Sequence, residues 1–157
     1  MYDACMKNSE DKDIIVMSAA VADYKPEFVG SEKMSKKNKT LILSLVPTQD
    51  ILAELGKRKK NGQLLVGFAL ETNDALENAK EKLRQKNLDL IVLNSLKDEG
   101  AGFEHNTNKV SIINREMKIN EYPLKSKTEA AKDIVNAILE LVIKYSKKEN
   151  KTKELHI

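Results

Sequence analysis

Ile14-Ile15-Val16-Met17-Ser18-Ala19-Ala20-Val21-Ala22-Asp23-Tyr24-Lys25-Pro26 decides the fold. Four apolar residues in a row, without alternation, read as a strand covered on both faces, the pattern of a parallel sheet between layers of helix. The run then stops in small residues and one carboxylate, Asp23. Small side chains let a ligand approach the backbone, and Asp23 suits a cation or a polar substrate group. A turn aspartate at an ordinary strand–loop junction has the same letters.

Outward from this stretch, Leu64 to Ala69 and, apart from Asp89, Leu88 to Leu93 are apolar in the same continuous way. Leu41 to Val46, Val110 to Ile113 and Met117 to Tyr122 are weaker strand candidates, the last two flanking Asn114-Arg115 as a hairpin at a sheet edge. Helical patterns lie between. One runs from Thr48 to about Lys60, and one from Asn73 to about Asn87 with Leu76, Ala79 and Leu83 on one face. The last opens at Ser126-Lys127-Thr128-Glu129, which has capping-box spacing, and carries Ala130, Ile134, Ile138, Leu141, Val142 and Tyr145 at helical intervals. This alternation predicts an α/β, Rossmann-like, doubly wound and mostly parallel sheet flanked by helices. Ligands of such sheets sit beyond the C-terminal strand ends, where Asp23, Phe68 and Asn94 fall.

The chain has 157 residues, 41% hydrophobic and only 4% aromatic, which fits one domain with an aliphatic interior. We expect that domain over residues 1–146, followed by a frayed or disordered basic tail over 147–157, where apolar periodicity is lost. Glu27 to Thr40 holds Gly30, Ser31 and four lysines without an apolar stripe, and is expected to form a lysine-rich flap. A net charge of +3 argues only weakly for nucleic acid, and aromatics do not interleave with the lysine clusters. A single cysteine, Cys5, supplies neither a disulfide framework nor zinc spacing and fits a reducing, cytoplasmic setting. No leader or membrane-spanning run is seen. None of the six glycines makes G-x-G-x-x-G or a P-loop, so the sequence reads as the later part of a larger unit.

Chemistry concentrates in a few places. Lys82 and Lys86 share a helical face on which like charges repel, and no carboxylate within that helix, expected to end near Asn87, stands three or four residues from either. Such a pair suits a polyanion such as a triphosphate, or is simply solvated. Lys33, Lys36 and Lys37 in the flap can close over the same anion as movable point charges. Phe68 follows Gly67 at a strand end, an arrangement that permits stacking on a flat base or plain core packing. Thr48-Gln49-Asp50-Ile51 opens a helix whose free N–H groups serve a polar ring edge, an anion or a simple cap. Asp89 and Asn94 are read as turn residues. His105 and His156 have no metal-ligand spacing, and no nucleophile triad is visible.

In order, SAAVADYKP, EKMSKK, QDIL, LLVGFALET, AKEKLRQKNLDLIVLN and the segment Phe103 to Asn108 resemble the bacterial phosphopantothenate–cysteine ligase family, from about residue 1 to Tyr145. The family's ligase forms the C-terminal half of the bifunctional coenzyme A biosynthesis flavoprotein. The resemblance implies CTP-dependent joining of cysteine to 4'-phosphopantothenate through an acyl-cytidylate, with release of pyrophosphate and CMP. It implies that Met17, Ser18 and Ala19 approach the nucleotide through backbone groups, and that Asp23 contacts it or its Mg²⁺. Lys33 would act on the intermediate, Gln49, Asp50, Ile51 and Leu52 would recognise cytosine, Phe68 would pack on the nucleotide, and Lys82 and Lys86 would hold its phosphates. Thr48-Gln49 stands where the family has Asn-Pro. The family's glycine-rich first loop and processing asparagine are expected upstream, and so is the flavin-bearing decarboxylase half, so FMN is not expected in this chain. A homodimer through the flap is implied as well. The competing expectation is a catalytically deficient nucleotide-binding and dimerisation fragment.

Overall fold

The structure is a computed structural model that describes residues 1–30, 32, 42–71, 73–95 and 106–154. In chain order the elements are α1 (Tyr2–Asn8), β1 (Ile14–Met17), β2 (Tyr24–Pro26), β3 (Leu45–Pro47), α2 (Ile51–Arg58), β4 (Leu64–Glu71), α3 (Ala75–Gln85), β5 (Leu90–Ser95), β6 (Thr107–Asn108), β7 (Val110–Asn114), β8 (Ile119–Glu121), β9 (Lys125–Ser126) and α4 (Lys127–Glu154). Among the described residues the main sheet has the order β1-β4-β5-β7-β8. β1, β4 and β5 are mutually parallel, β7 pairs antiparallel with β5, and β8 pairs antiparallel with β7. The mostly parallel α/β sheet and the edge hairpin thus form as the apolar runs require.

Alternate residues of β4 and β5 feed two cores. Leu65, Ile91 and Leu93 pack with Ile51, Leu55, Ala79 and Leu83 under α2 and α3. Leu64, Val66, Leu90 and Val92 pack with Ala130, Ala137 and Ile138 of α4. Burial on both faces is why these strands read as unbroken apolar runs. β1 departs from that expectation. Ile15 and Met17 pack inward, whereas Ile14 and Val16 remain 40% and 44% exposed. Strands lie about 4.8 Å apart and a helix is about 10 Å across, so α4, packed over β4, β5 and β7, does not reach the edge strand.

Three other expectations are corrected. The strand proposed for Leu41 to Val46 is confined to Leu45–Pro47, which pairs with the three residues of β2 away from the main sheet. α4 runs on to Glu154 where a frayed tail was expected after residue 146. Its start is fixed by the anticipated capping box, with Glu129 N–H donating to Ser126 Oγ (3.2 Å) and Ser126 N–H to Glu129 Oε2 (3.1 Å). Lys and Glu are good helix formers, so a nucleated helix propagates through them without an apolar stripe.

Asp89 is not a turn residue. It is 2% exposed, and its carboxylate accepts from Lys59 Nζ (2.9 Å), Leu65 N–H (2.8 Å) and Tyr145 Oη (3.3 Å), with Arg115 Nε at 3.7 Å. It therefore bolts α2, β4, α4 and the β7–β8 hairpin together below the sheet. Burial pushes the Lys59 ammonium below its ordinary pKa, against the pull of Asp89. Among the described residues no helix is long and apolar enough to cross a membrane.

Candidate functional site

β1 and β4 run parallel, so their C-terminal ends open on the same side. The loop after β1 is tied there by Thr48, whose N–H donates to Asp23 O (2.8 Å) and whose Oγ1 donates to Ala22 O (2.6 Å). Thr48 is thus a clamp on the small-residue loop and not the helix cap. The cap is Asp50, whose Oδ1 accepts the Ala53 N–H at 2.9 Å.

Two glycines bring the helices onto this end of the sheet. A Cβ on Gly67 would lie 2.8 Å from both Leu52 Cδ2 and Leu88 Cδ1. The space left by Gly67 is therefore taken by helix–strand packing, the second of the two arrangements its letters allow. Gly56 meets the C-terminal end of α3 even more closely, with its hypothetical Cβ 1.9 Å from Lys86 O. Asn87 Nδ2 donates to Gly56 O across the same contact (2.9 Å). This approach sets Lys86 beside the first turn of α2.

The result is a cavity of about 510 Å³. Met17, Ala19 and Asp23 line it from the β1 loop, Gln49, Asp50, Ile51 and Leu52 from the start of α2, Phe68 from β4, and Lys82 and Lys86 from α3. Sequence regions up to about 70 residues apart thus meet as the motif order suggested. Ser18 is not among the lining residues, and Lys33 lies outside the described residues together with Lys36, Lys37 and Phe103. Ala20, Val21, Tyr24, Pro47 and Leu70 also line the cavity; all but Pro47 lie in quoted motifs, but none has a role of its own by sequence. Phe68 does two things at once, packing on the α4-side core while facing the cavity.

The electrostatics correct one inference. Lys82 and Lys86 have no carboxylate partner within α3, but the fold supplies one to each. Lys82 Nζ pairs with Glu71 at the end of β4, and Lys86 Nζ pairs with Asp50 Oδ2 at 2.8 Å. Intrahelical spacing is blind to both because the partners come from other elements. Burial pushes the Asp50 carboxyl upward, but the Lys86 ammonium and the Ala53 N–H outweigh it and hold the group below the ordinary aspartate value. Asp23 is exposed, and its carboxylate makes no hydrogen bond or ion pair among the described residues. No cluster of three or more His, Cys, Asp or Glu is present among the described residues. Among the described residues Asp23 is the unpaired carboxylate at the cavity that could hold a divalent ion together with ligand phosphates, the mode usual for Mg²⁺.

The family model for the DNA/pantothenate metabolism flavoprotein C-terminal domain matches residues 1–142. A curated relative from an unknown prokaryotic organism, named cysteine/cysteine sulfinic acid decarboxylase, is 50% identical over 142 residues, which are 90% of this chain and 40% of that protein. The coenzyme A biosynthesis bifunctional protein CoaBC of Bacillus subtilis (strain 168) is 43% identical over 141 residues, 90% of this chain and 34% of that protein. The crystal structure of the C-terminal domain of CoaBC aligns with a TM-score of 0.73 at 32% identity, covering 91% of this chain and 61% of that one. The chain thus spans well under half the length of these two curated relatives.

Proposed function

The chain belongs to the DNA/pantothenate metabolism flavoprotein C-terminal domain family, and from that premise we propose that it is the nucleotide-handling part of a coenzyme A biosynthesis ligase. The reaction is the CTP-dependent joining of cysteine to 4'-phosphopantothenate. The observation that carries this reading is the convergence of Asp23, the first turn of α2, Phe68, Lys82 and Lys86 on one cavity at the C-terminal strand ends. The similarity to CoaBC and to its C-terminal domain supports it independently. Decarboxylation, named for the relative from an unknown prokaryote, stays with that protein, of which this chain spans 40%.

A carboxylate is a poor electrophile until one of its oxygens becomes part of a good leaving group. In the proposed sequence the 4'-phosphopantothenate carboxylate attacks the α-phosphorus of CTP, pyrophosphate leaves, and an acyl-cytidylate remains. The cysteine amine then attacks the acyl carbon, loses a proton, and expels CMP. Lys82 and Lys86 hold the phosphates, so two anions are brought together at reduced repulsion. Gln49, Asp50, Ile51 and Leu52 border the cytosine, and Phe68 packs on the nucleotide. Asp23 supplies the protein ligand to Mg²⁺, which when bound neutralises phosphate charge. Lys33 is assigned to the acyl-cytidylate, and Met17 and Ala19, which flank Ser18 and line the cavity, approach the nucleotide through their backbone.

Dimerisation is part of the proposal. The ribbon β2–β3 and its flanks expose Tyr24, Phe28, Val29, Ile42, Leu43 and Leu45, with Phe28 and Val29 81% and 89% exposed. An apolar concentration of this size next to the cavity suits a second copy of the chain. The decarboxylase half is expected in a full-length protein.

Pyrophosphate release from CTP in the presence of 4'-phosphopantothenate tests the reading. Release that requires both substrates supports the ligase. CTP binding without release supports the alternative, a nucleotide-binding and dimerisation fragment, and absence of CTP binding defeats both.

A further inference from the structure

Glu71 is the last residue of β4, directly after Phe68, Ala69 and Leu70, which face the cavity. Its side chain is 16% exposed, whereas that of Lys82 is 43% exposed. One carboxylate oxygen pairs with Lys82 Nζ, and the other accepts from Asn78 Nδ2 at 3.5 Å. Asn78 and Lys82 stand one helical turn apart on α3, so a single strand residue touches two successive positions of the helix face at the cavity. The strand that forms the cavity wall thus also delivers the counterion of one of its two lysines.

We propose that Glu71 is a resident counterion for Lys82: it holds the ammonium at the cavity rim while the site is empty, and an incoming phosphate takes that ammonium over. This rests on the polyphosphate-binding reading of the cavity. Lys82 and Lys86 are both neutralised before any ligand arrives, Lys86 by Asp50, so phosphate binding is an exchange of anionic partners and not the filling of a bare cationic site. Asp50 is a poor probe of this exchange because it also caps α2. Glu71 caps no helix, and glutamine keeps its shape and its contact with Asn78. Removing its charge leaves Lys82 fully available, and a partly exposed pair of this kind corresponds to about a three- to fivefold change in anion affinity.

The experiment measures CTP·Mg²⁺ and inorganic tripolyphosphate binding by calorimetry at two salt concentrations. It uses the wild-type chain, Glu71→Gln, Lys82→Met and the double variant, each checked for folding by thermal melting. Tripolyphosphate should bind Glu71→Gln about three- to fivefold more tightly than wild type. The gain should shrink at high salt and vanish in the Lys82→Met background, because Glu71 acts through Lys82. If both ligands bind wild type but Glu71→Gln is unchanged or weaker, or its gain persists without Lys82, the proposal falls while the cavity reading stands. If tripolyphosphate shows the predicted pattern and CTP does not bind, the proposal stands and the nucleotide reading falls. If neither ligand binds, both fall.

Discussion

Gly56→Ala tests the packing that brings α3 to the cavity. A Cβ at position 56 would lie 1.9 Å from Lys86 O and 2.8 Å from Lys86 C, both backbone atoms that cannot rotate aside. A normal carbon–oxygen contact is about 3.3 Å, so the C-terminal end of α3 must retreat from α2 by roughly 1.4 Å. Overpacking of this kind costs about 1–3 kcal/mol. The Asn87 Nδ2 to Gly56 O bond, 2.9 Å long, would be stretched or lost, a further ~1 kcal/mol. The higher helix propensity of alanine returns about 1 kcal/mol. The net expectation is a loss of about 1–3 kcal/mol, which for a domain of this size lowers Tm by roughly 3–10 °C. Urea unfolding should show a lower midpoint at unchanged slope. Because Lys86 sits at the displaced end, polyphosphate affinity should fall as well. A variant as stable as wild type would refute the close approach, and a destabilised variant with full affinity would separate that approach from the site.

Asp89→Ala removes the partner of an almost fully buried lysine, Lys59, and should cost about 3–5 kcal/mol in denaturant unfolding; a loss below about 1 kcal/mol would contradict the bolt below the sheet. Ser126→Ala deletes one side of the capping box of α4 and should lower Tm by about 2–4 °C with nucleotide binding intact. Asp50 gives an acid dependence. Its folded-state pKa is depressed, so the unfolded chain takes up the proton first as pH falls. Its stabilising contribution is complete above the ordinary aspartate pKa of about 3.9 and is lost as pH falls from there through the lower folded value. Lys86→Met should shrink that acid-sensitive part in melts collected from pH 6 to pH 2. Replacing both Lys82 and Lys86 with Met should weaken CTP·Mg²⁺ binding about 100-fold or more, since each charge-assisted contact contributes about 1.5–3 kcal/mol; unchanged affinity would remove both from the site.

Much of the fold is legible in letters that report their own surroundings. Leu64 to Ala69 and Leu90 to Leu93 are apolar on consecutive positions because helices cover both of their faces, and Ser126 with Glu129 marks a helix start by a local hydrogen-bond pattern. What escaped depends on partners distant in the chain. Ile14 to Met17 has the same letters as a covered strand, yet it lies at the edge beyond the reach of α4. Lys82 and Lys86 look unpaired because Glu71 and Asp50 come from β4 and α2, and Asp89 looks like a turn residue because Lys59, Arg115 and Tyr145 come from three other elements. Gly67 next to Phe68 fits ligand access or core packing equally by its letters, and only the fold shows its free space filled by Leu52 and Leu88. β–α order alone sends Asp23 and Phe68 to the C-terminal end of the sheet, and both line the cavity there, whereas the role expected of Gln49 to Leu52 comes from the family resemblance.

The central claim is that the 510 Å³ cavity between the β1 loop, α2 and α3 is a nucleotide site. A crystal structure of the chain with CTP and Mg²⁺ tests it most directly. The account predicts the nucleotide in this cavity, with phosphate oxygens within ion-pair distance of Lys82 and Lys86, the metal on Asp23 and the base against Gln49 to Leu52. Nucleotide bound elsewhere, for instance in the cavity beside Asp89 and Arg115 at the opposite end of the sheet, would contradict it.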